Sequence, residues 1–142
     1  MPRIPASRLL ALVVLSLTVL TGEGGAQTGY IYATLQLPGQ PNGYVSASLK
    51  KGSEDNSAFF VVTDDVLRLA NTNFRIEENP SDANGKTVSL RDATGRFLIC
   101  CENDRVTINA TPAEDTKWFR IRFYSAVQKD EIENRRRAMR QR

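Results

Sequence analysis

The sequence of 142 residues contains no histidine. Serine and cysteine nucleophiles are usually activated by histidine, and most catalytic zinc sites bind the metal through it. Adjacent carboxylates do occur at 64–65, 77–78 and 114–115. Neighbouring side chains of an extended chain point apart, however, whereas a glycosidase needs two carboxyl groups that converge. We therefore expect a protein that is not an enzyme and that uses no metal or cofactor.

Long hydrophobic runs are scarce, and the clearest one lies near the start of the chain. Residues 9–20 are uncharged, follow Arg3 and Arg8, and precede small residues that end at Ala26. This order is typical of a secretory signal, which we predict over residues 1–26. The run is shorter than the ~20 residues that a membrane-spanning helix needs. We expect a mature protein that has no membrane span and is secreted into the extracellular space.

Cysteine is also rare, since Cys100 and Cys101 are the only two and are adjacent. On a strand they would point to opposite faces, so a bond between them would fall outside ordinary disulfide geometry. Two diverging thiols would not chelate a metal ion either. We expect one buried cysteine and one exposed thiol. In a secreted chain an exposed thiol can form an intermolecular disulfide, so a disulfide-linked homodimer stays an open alternative.

The body of the chain shows short segments rich in β-branched and aromatic residues, separated by turn sequences such as PGQPNG, NPSDANG and ATG. This spacing predicts an all-β sandwich or barrel. Two segments, 33–62 and 88–121, share one order: an alternating strand, a turn with glycine, an aromatic that starts the next strand, an acidic loop and an aromatic pair. The stretch between them could be a shortened third copy.

These segments resemble a β-trefoil of the fascin or fibroblast-growth-factor type, most clearly over residues 88–124, where VSLRDATGRFLICC and EDTKWFRI carry the likeness. The resemblance implies a small trefoil-like barrel, complete or incomplete, over residues 27–124. A small β-sandwich is the alternative fold. We predict Trp118 at the barrel rim and a hydrophobic core that includes Leu35, Tyr44, Val45, Phe60, Leu67, Phe74, Leu90, Phe97, Ile99, Phe119 and Ile121.

The positive charge is concentrated at the end of the chain. The last nine residues, NRRRAMRQR, contain five arginines and no acid, whereas residues 27–133 hold 12 basic and 15 acidic groups. We predict that residues 125–142 form a charged tail that is helical or disordered. Clustered guanidinium groups bind sulfate and phosphate in a bidentate manner. The candidate residues for binding an anionic partner are Arg135, Arg136, Arg137, Arg140 and Arg142.

Three interpretations of this tail stay open: a binding segment, a solvated end, and a basic processing site that is cut away. A secreted chain rarely meets nucleic acid, so we expect an extracellular protein or glycan as the partner, with sulfated glycosaminoglycan as one candidate. We predict a secreted binding protein of the growth-factor, cytokine or lectin type. A secreted structural, matrix or toxin-like component is the alternative. The sequence Asn109–Ala–Thr also predicts N-glycosylation at Asn109.

Overall fold

The computed structural model describes residues 30–84 and 86–141. The predicted signal peptide and Arg142 lie outside the described residues. Within them the chain forms ten strands, followed by one α-helix. In chain order these are β1 (Tyr32–Gln36), β2 (Tyr44–Val45), β3 (Lys51–Gly52), β4 (Phe60–Thr63), β5 (Val66–Leu69), β6 (Thr72–Glu78), β7 (Thr87–Arg91), β8 (Phe97–Glu102), β9 (Arg105–Asn109), β10 (Phe119–Tyr124) and α1 (Ala126–Arg140).

Strands β1, β4, β5, β6, β7 and β10 form a closed, six-stranded antiparallel barrel. The closing strand is β10, which pairs with β1 from Arg120↔Gln36 to Tyr124↔Tyr32. On its other side β10 pairs with the start of β7 at Phe119↔Val88. The prediction of an all-β barrel is confirmed, and the helical form of the tail is the observed one.

Two of the connections between barrel strands contain a hairpin, and the connection between β5 and β6 is only a turn. The β2–β3 hairpin lies between β1 and β4 in the chain, and the β8–β9 hairpin lies between β7 and β10. Between β5 and β6 there is only the turn Ala70–Asn71, with φ angles of 50° and 64°. Two residues with positive φ match the twist of a tight hairpin. This architecture is compatible with a β-trefoil-like barrel whose middle unit is shortened.

The two hairpins are joined to each other through their backbones. Lys51 N–H donates to the Asp104 carbonyl at 2.7 Å, and Val106 N–H donates to the Leu49 carbonyl at 3.0 Å. The loops therefore satisfy each other's polar groups above the barrel. Val106 is buried and Leu49 packs against the core, so the same contact extends the hydrophobic cluster.

The hydrophobic core fills the barrel and the space beneath the hairpins. Eight of the eleven predicted core residues are buried, and Tyr44, Phe97 and Ile99 are only partly buried. On β8 the predicted face is wrong, since Leu98 and Cys100 are buried instead. Alternation along a strand gives two faces but does not say which one meets the core. Buried hydrophobic residues outside the predicted set are Ala33, Leu37, Val62, Leu69, Val88, Leu98, Cys100 and Val106.

Two aspartates organise similar turns in the sequences DANGK and DATGR. Asp82 accepts hydrogen bonds from the backbone N–H groups of Asn84 and Lys86, two and four positions later. Asp92 accepts the corresponding bonds from Thr94 and Arg96. Side-chain hydroxyl bonds, from Thr87 to Asp82 and from Thr94 to Asp92, are the main cause that lowers the pKa of each carboxyl group.

Two truncations test the core. Phe119 is fully buried, so Phe119→Ala should leave a cavity and lower the free energy of unfolding by about 3–5 kcal/mol. Phe97 is partly exposed, with Arg91 and Lys117 against its ring, so Phe97→Ala should cost only about 1–2 kcal/mol. Urea unfolding of both variants measures the difference. Equal losses would contradict the observed burial.

The aspartate turns predict a dependence of stability on pH. Because the folded-state pKa values of Asp82 and Asp92 are lowered, both carboxylates stabilise the fold above about pH 4, where the unfolded groups are ionised. This contribution should be lost as the pH falls through the lower folded-state values. Thermal melts from neutral pH to strong acid should show a flatter acid limb for Asp82→Asn/Asp92→Asn. An unchanged acid limb would refute this, and Asp55→Asn/Asp115→Asn, which removes two exposed carboxylates, controls for the loss of two charges.

Candidate functional site

The C-terminal helix begins directly after the strand that closes the barrel. Ser125 caps it, because its Oγ accepts a hydrogen bond from Gln128 N–H at 3.1 Å. In return, the Gln128 Oε1 accepts one from Ser125 N–H at 2.9 Å. This reciprocal capping box fixes the direction in which α1 leaves β10.

Arg136 fastens the basic half of α1 to the barrel. Its Nη1 donates to the Ser57 carbonyl at 2.9 Å, and its Nη2 donates to the Glu54 carbonyl at 2.9 Å and to the Ser57 Oγ at 3.0 Å. The guanidinium carbon lies 5.1 Å from the centre of the Phe59 ring, which in turn meets the Tyr124 ring edge-on at 5.2 Å. Such a planar fork with a ring beneath it is a geometry that lysine does not reproduce.

Lys129 makes a second contact, two turns nearer the helix start. Its Nζ lies 4.9 Å from the centre of the Tyr32 ring on β1 and bonds Glu133 Oε1 at 2.9 Å. The bond to the Glu133 carboxylate is the main cause that raises the pKa of Lys129. Two cations of α1 therefore pack on aromatic rings of the barrel.

The structure divides the predicted arginine cluster. Arg135, Arg137 and Arg140 are exposed, whereas Arg136 is partly buried and bonded to its own chain. Successive helical residues differ by 100° in direction, so three adjacent arginines do not face one surface. Arg137 donates to Asn134 on the same helix. The cluster thus consists of three exposed arginines and of Arg136, which binds the helix to the barrel.

A cleft of about 1060 Å³ lies beside β10. Arg120 and Arg122 of β10 line it together with Ile132, Arg135 and Met139 of α1. Alternation along β10 places the two arginines on the face opposite the buried Phe119 and Ile121, although Ile121 also lines the cleft. Further lining residues are Gln36, Tyr44, Tyr124 and Lys86, and carboxylates at 54–55, 64–65 and 78.

Arg120 and Arg122 were not among the predicted binding residues. Their signal in the sequence is the alternation FRIRFY, in which each arginine follows a core residue. That pattern indicates arginines on the outer face of a strand. It does not show that a helix will fold back beside them, because the contact of α1 with the barrel depends on Arg136 and on residues far away in the chain.

The cysteine prediction was right about burial and wrong about bonding. Cys100 is buried and Cys101 is exposed, as expected of one core and one surface residue. The two sulfur atoms are nevertheless bonded to each other, across a cis peptide bond. Divergence of neighbouring side chains holds for a continuous trans strand, and this pair departs from that geometry. Both cysteines lie within the described residues, and neither is left there as a free thiol for the intermolecular disulfide.

The adjacent carboxylates occupy turns and strand ends, and Asp64, Asp65 and Glu78 line the cleft beside β10. Glu77 forms a salt bridge with Arg91 at 2.8 Å. Glu114 accepts a hydrogen bond from the Trp118 Nε1 at 2.8 Å, and this bond is the main cause that lowers the pKa of Glu114. In the described residues no group of three or more His, Cys, Asp or Glu is arranged to hold a metal ion. Within the same residues no helix is long and apolar enough to cross a membrane.

Comparison with known proteins gives no relative: no protein-family model, no curated protein and no solved structure matches the chain. The strongest feature of the surface formed by α1 and the cleft beside β10 is a group of exposed guanidinium groups on two neighbouring elements.

The sequon at Asn109 generates a prediction about modification. Asn109 is exposed at the end of β9, and its Oδ1 accepts a hydrogen bond from Thr111 N–H at 2.8 Å. Protein secreted from eukaryotic cells should carry an N-linked glycan there, with incomplete occupancy because Pro112 follows the sequon. Glycosidase treatment should lower the mass of the wild type and leave Asn109→Gln unchanged. A wild type without a mass shift would show that the site is unused.

Proposed function

We propose that this chain is a secreted, non-enzymatic binding protein of the growth-factor, cytokine or lectin type. In this proposal, the basic half of α1 contacts an anionic partner outside the cell. The observation that carries the proposal is the exposure of Arg135, Arg137 and Arg140 on a helix that Arg136 fastens to the barrel. Exposed guanidinium groups on an ordered helix lose less side-chain and backbone freedom on binding than the same groups on a flexible tail.

The fold is consistent with this assignment without deciding it. A closed barrel with two hairpins is compatible with a β-trefoil of the fascin or fibroblast-growth-factor type, which we propose as the family. One fold serves many functions, so the assignment depends on the surface rather than on the barrel. The surface feature is the concentration of arginine at the end of a body that carries more acidic than basic residues.

A sulfated glycosaminoglycan is the first partner to test, because its sulfate groups match bidentate guanidinium donors. The competing class is a secreted matrix or toxin-like component, which should associate with copies of itself. The two classes differ in a simple measurement. A polyanion-binding protein is held by immobilised heparin more strongly than its net charge predicts, whereas a self-associating component changes its oligomeric state with concentration.

Charge removal on the helix tests the proposal. Arg135→Gln/Arg137→Gln/Arg140→Gln should elute from heparin at a much lower salt concentration than the wild type, because three cationic groups that would contact the sulfates are lost. Exposed contacts are screened by salt beyond about 8–10 Å, so the weaker remaining attraction is overcome at lower salt. The barrel should keep its circular dichroism spectrum and melting temperature, since none of the three residues is buried.

The matched control removes the same charge elsewhere. Arg68, Arg75 and Arg105 are exposed on β5, β6 and β9, so their triple replacement by Gln has the same effect on net charge. We expect only a small shift for this control. Equal elution of the helix variant and the wild type would mean that the helix is a solvated end, and equal shifts for the two variants would show that only net charge matters.

A further inference from the structure

We propose that the cleft beside β10 binds a short, extended acidic segment of a partner protein, in which acidic and apolar residues alternate. Arg120, Arg122 and Arg135 would bind its carboxylates. This inference rests on the proposed binding function and deepens it, because it assigns a second surface, which shares Arg135 with the arginines of α1 named above, and a different ligand class. The exposed tip of α1, Arg137 and Arg140, does not line the cleft.

The spacing of the arginines on β10 favours an extended ligand. Arg120 and Arg122 are two positions apart on one strand, so their Cα atoms are separated by roughly 6.7 Å along it. An extended peptide presents every second side chain with the same repeat. Neither arginine takes part in the salt bridges found within the described part of the chain. Both guanidinium groups are exposed and available to carboxylates.

Apolar and aromatic side chains form part of the wall of the cleft. Ile132 and Met139 of α1 line the cleft, and Met139 is 57% exposed. Tyr44 and Tyr124 line it from the barrel. Methionine adapts to irregular partners, and tyrosine offers a large ring with few rotatable bonds. A ligand with apolar side chains between its acidic ones would cover this wall, which a sulfated sugar would leave unused.

The carboxylates in the cleft limit the length of the anion. Glu54 and Asp55 lie near the Arg136 contact, and Asp64 and Asp65 form the turn between β4 and β5. Like charges at close range are repelled, so a long uniform polyanion that filled the cleft would meet this repulsion. A short acidic segment with neutral or basic flanks would avoid it. The charge pattern thus favours a peptide over a long glycosaminoglycan chain in this cleft.

Arg136 acts here as a positioning residue. Its bonds to the Ser57 and Glu54 carbonyls hold α1 in the place where Arg135 and Met139 complete the wall. Arg136→Lys keeps the charge and loses the fork of donors. The variant should therefore show faster hydrogen exchange in α1 and weaker peptide binding at unchanged net charge. Exchange and affinity equal to the wild type would overturn this role.

The ligand class is tested by fluorescence anisotropy with a synthetic peptide in which aspartates alternate with valines between lysine flanks. An analogue with asparagine in place of aspartate controls for charge. We expect the wild type to bind the acidic peptide, and Arg120→Gln/Arg122→Gln to bind it at least tenfold more weakly. Arg137→Gln/Arg140→Gln should keep the affinity within about twofold and lose heparin retention instead. Arg68→Gln/Arg75→Gln is the control for charge.

The outcomes separate this inference from the proposed function. If the wild type is retained by heparin but does not bind the peptide, or binds the asparagine analogue equally well, the cleft proposal is wrong and the proposed function stands. If a short heparin-derived oligosaccharide displaces the peptide from the cleft, the site belongs to sulfated glycans and the peptide class is wrong. Peptide binding that Arg120→Gln/Arg122→Gln does not change also overturns it. Circular dichroism and thermal melts confirm that each variant is folded.

Discussion

The pairing of β10 with two strands at once is the constraint on which the rest of the structure depends. β10 is the last strand, and it joins β1, the first, to β7. The inward residues Phe119 and Ile121 complete the core, while Arg120 and Arg122 are exposed. Because one strand supplies both sets, the position of the arginines is as well defined as the core packing. The same strand leads into α1, so barrel closure also determines where the helix starts.

The second constraint is the contact of Arg136 with Ser57 and Glu54, which holds the charged C-terminal helix against the barrel. The helix has no buried residue of its own, and most of its stability must come from its cap, its internal pairs and its contacts with the barrel. Its arginines lie in the second half, and Arg137 and Arg140 of the last turn interact favourably with the helix dipole. Cations on aromatic rings replace the apolar stripe that a surface helix normally uses.

The parts that could be predicted from sequence are those governed by local pattern. Alternation and turn residues identified the β-structure and most of the core. The middle stretch, which could be a shortened third copy, has the turn Ala70–Asn71 where the flanking stretches have hairpins. The face of β8 could not be chosen, because alternation is symmetric until a partner surface is known. The Cys100–Cys101 bond was missed because strand geometry was assumed to continue through it. The cleft was missed because Ser57 and Arg136 meet across 79 positions of sequence.

The nature of the Arg136 contact explains how a basic helix can lie on a body rich in acids and keep its other arginines exposed. Arg136 donates to backbone carbonyls of Glu54 and Ser57 and to a hydroxyl, not to carboxylates. The helix is therefore held by hydrogen bonds and a ring contact, which salt screens less than an exposed ion pair. If the other arginines of α1 were instead paired with carboxylates of the barrel, their charges would be neutralised. Docking through carbonyl groups instead leaves the charges of Arg135, Arg137 and Arg140 on the surface, accessible to the anionic partner that we propose.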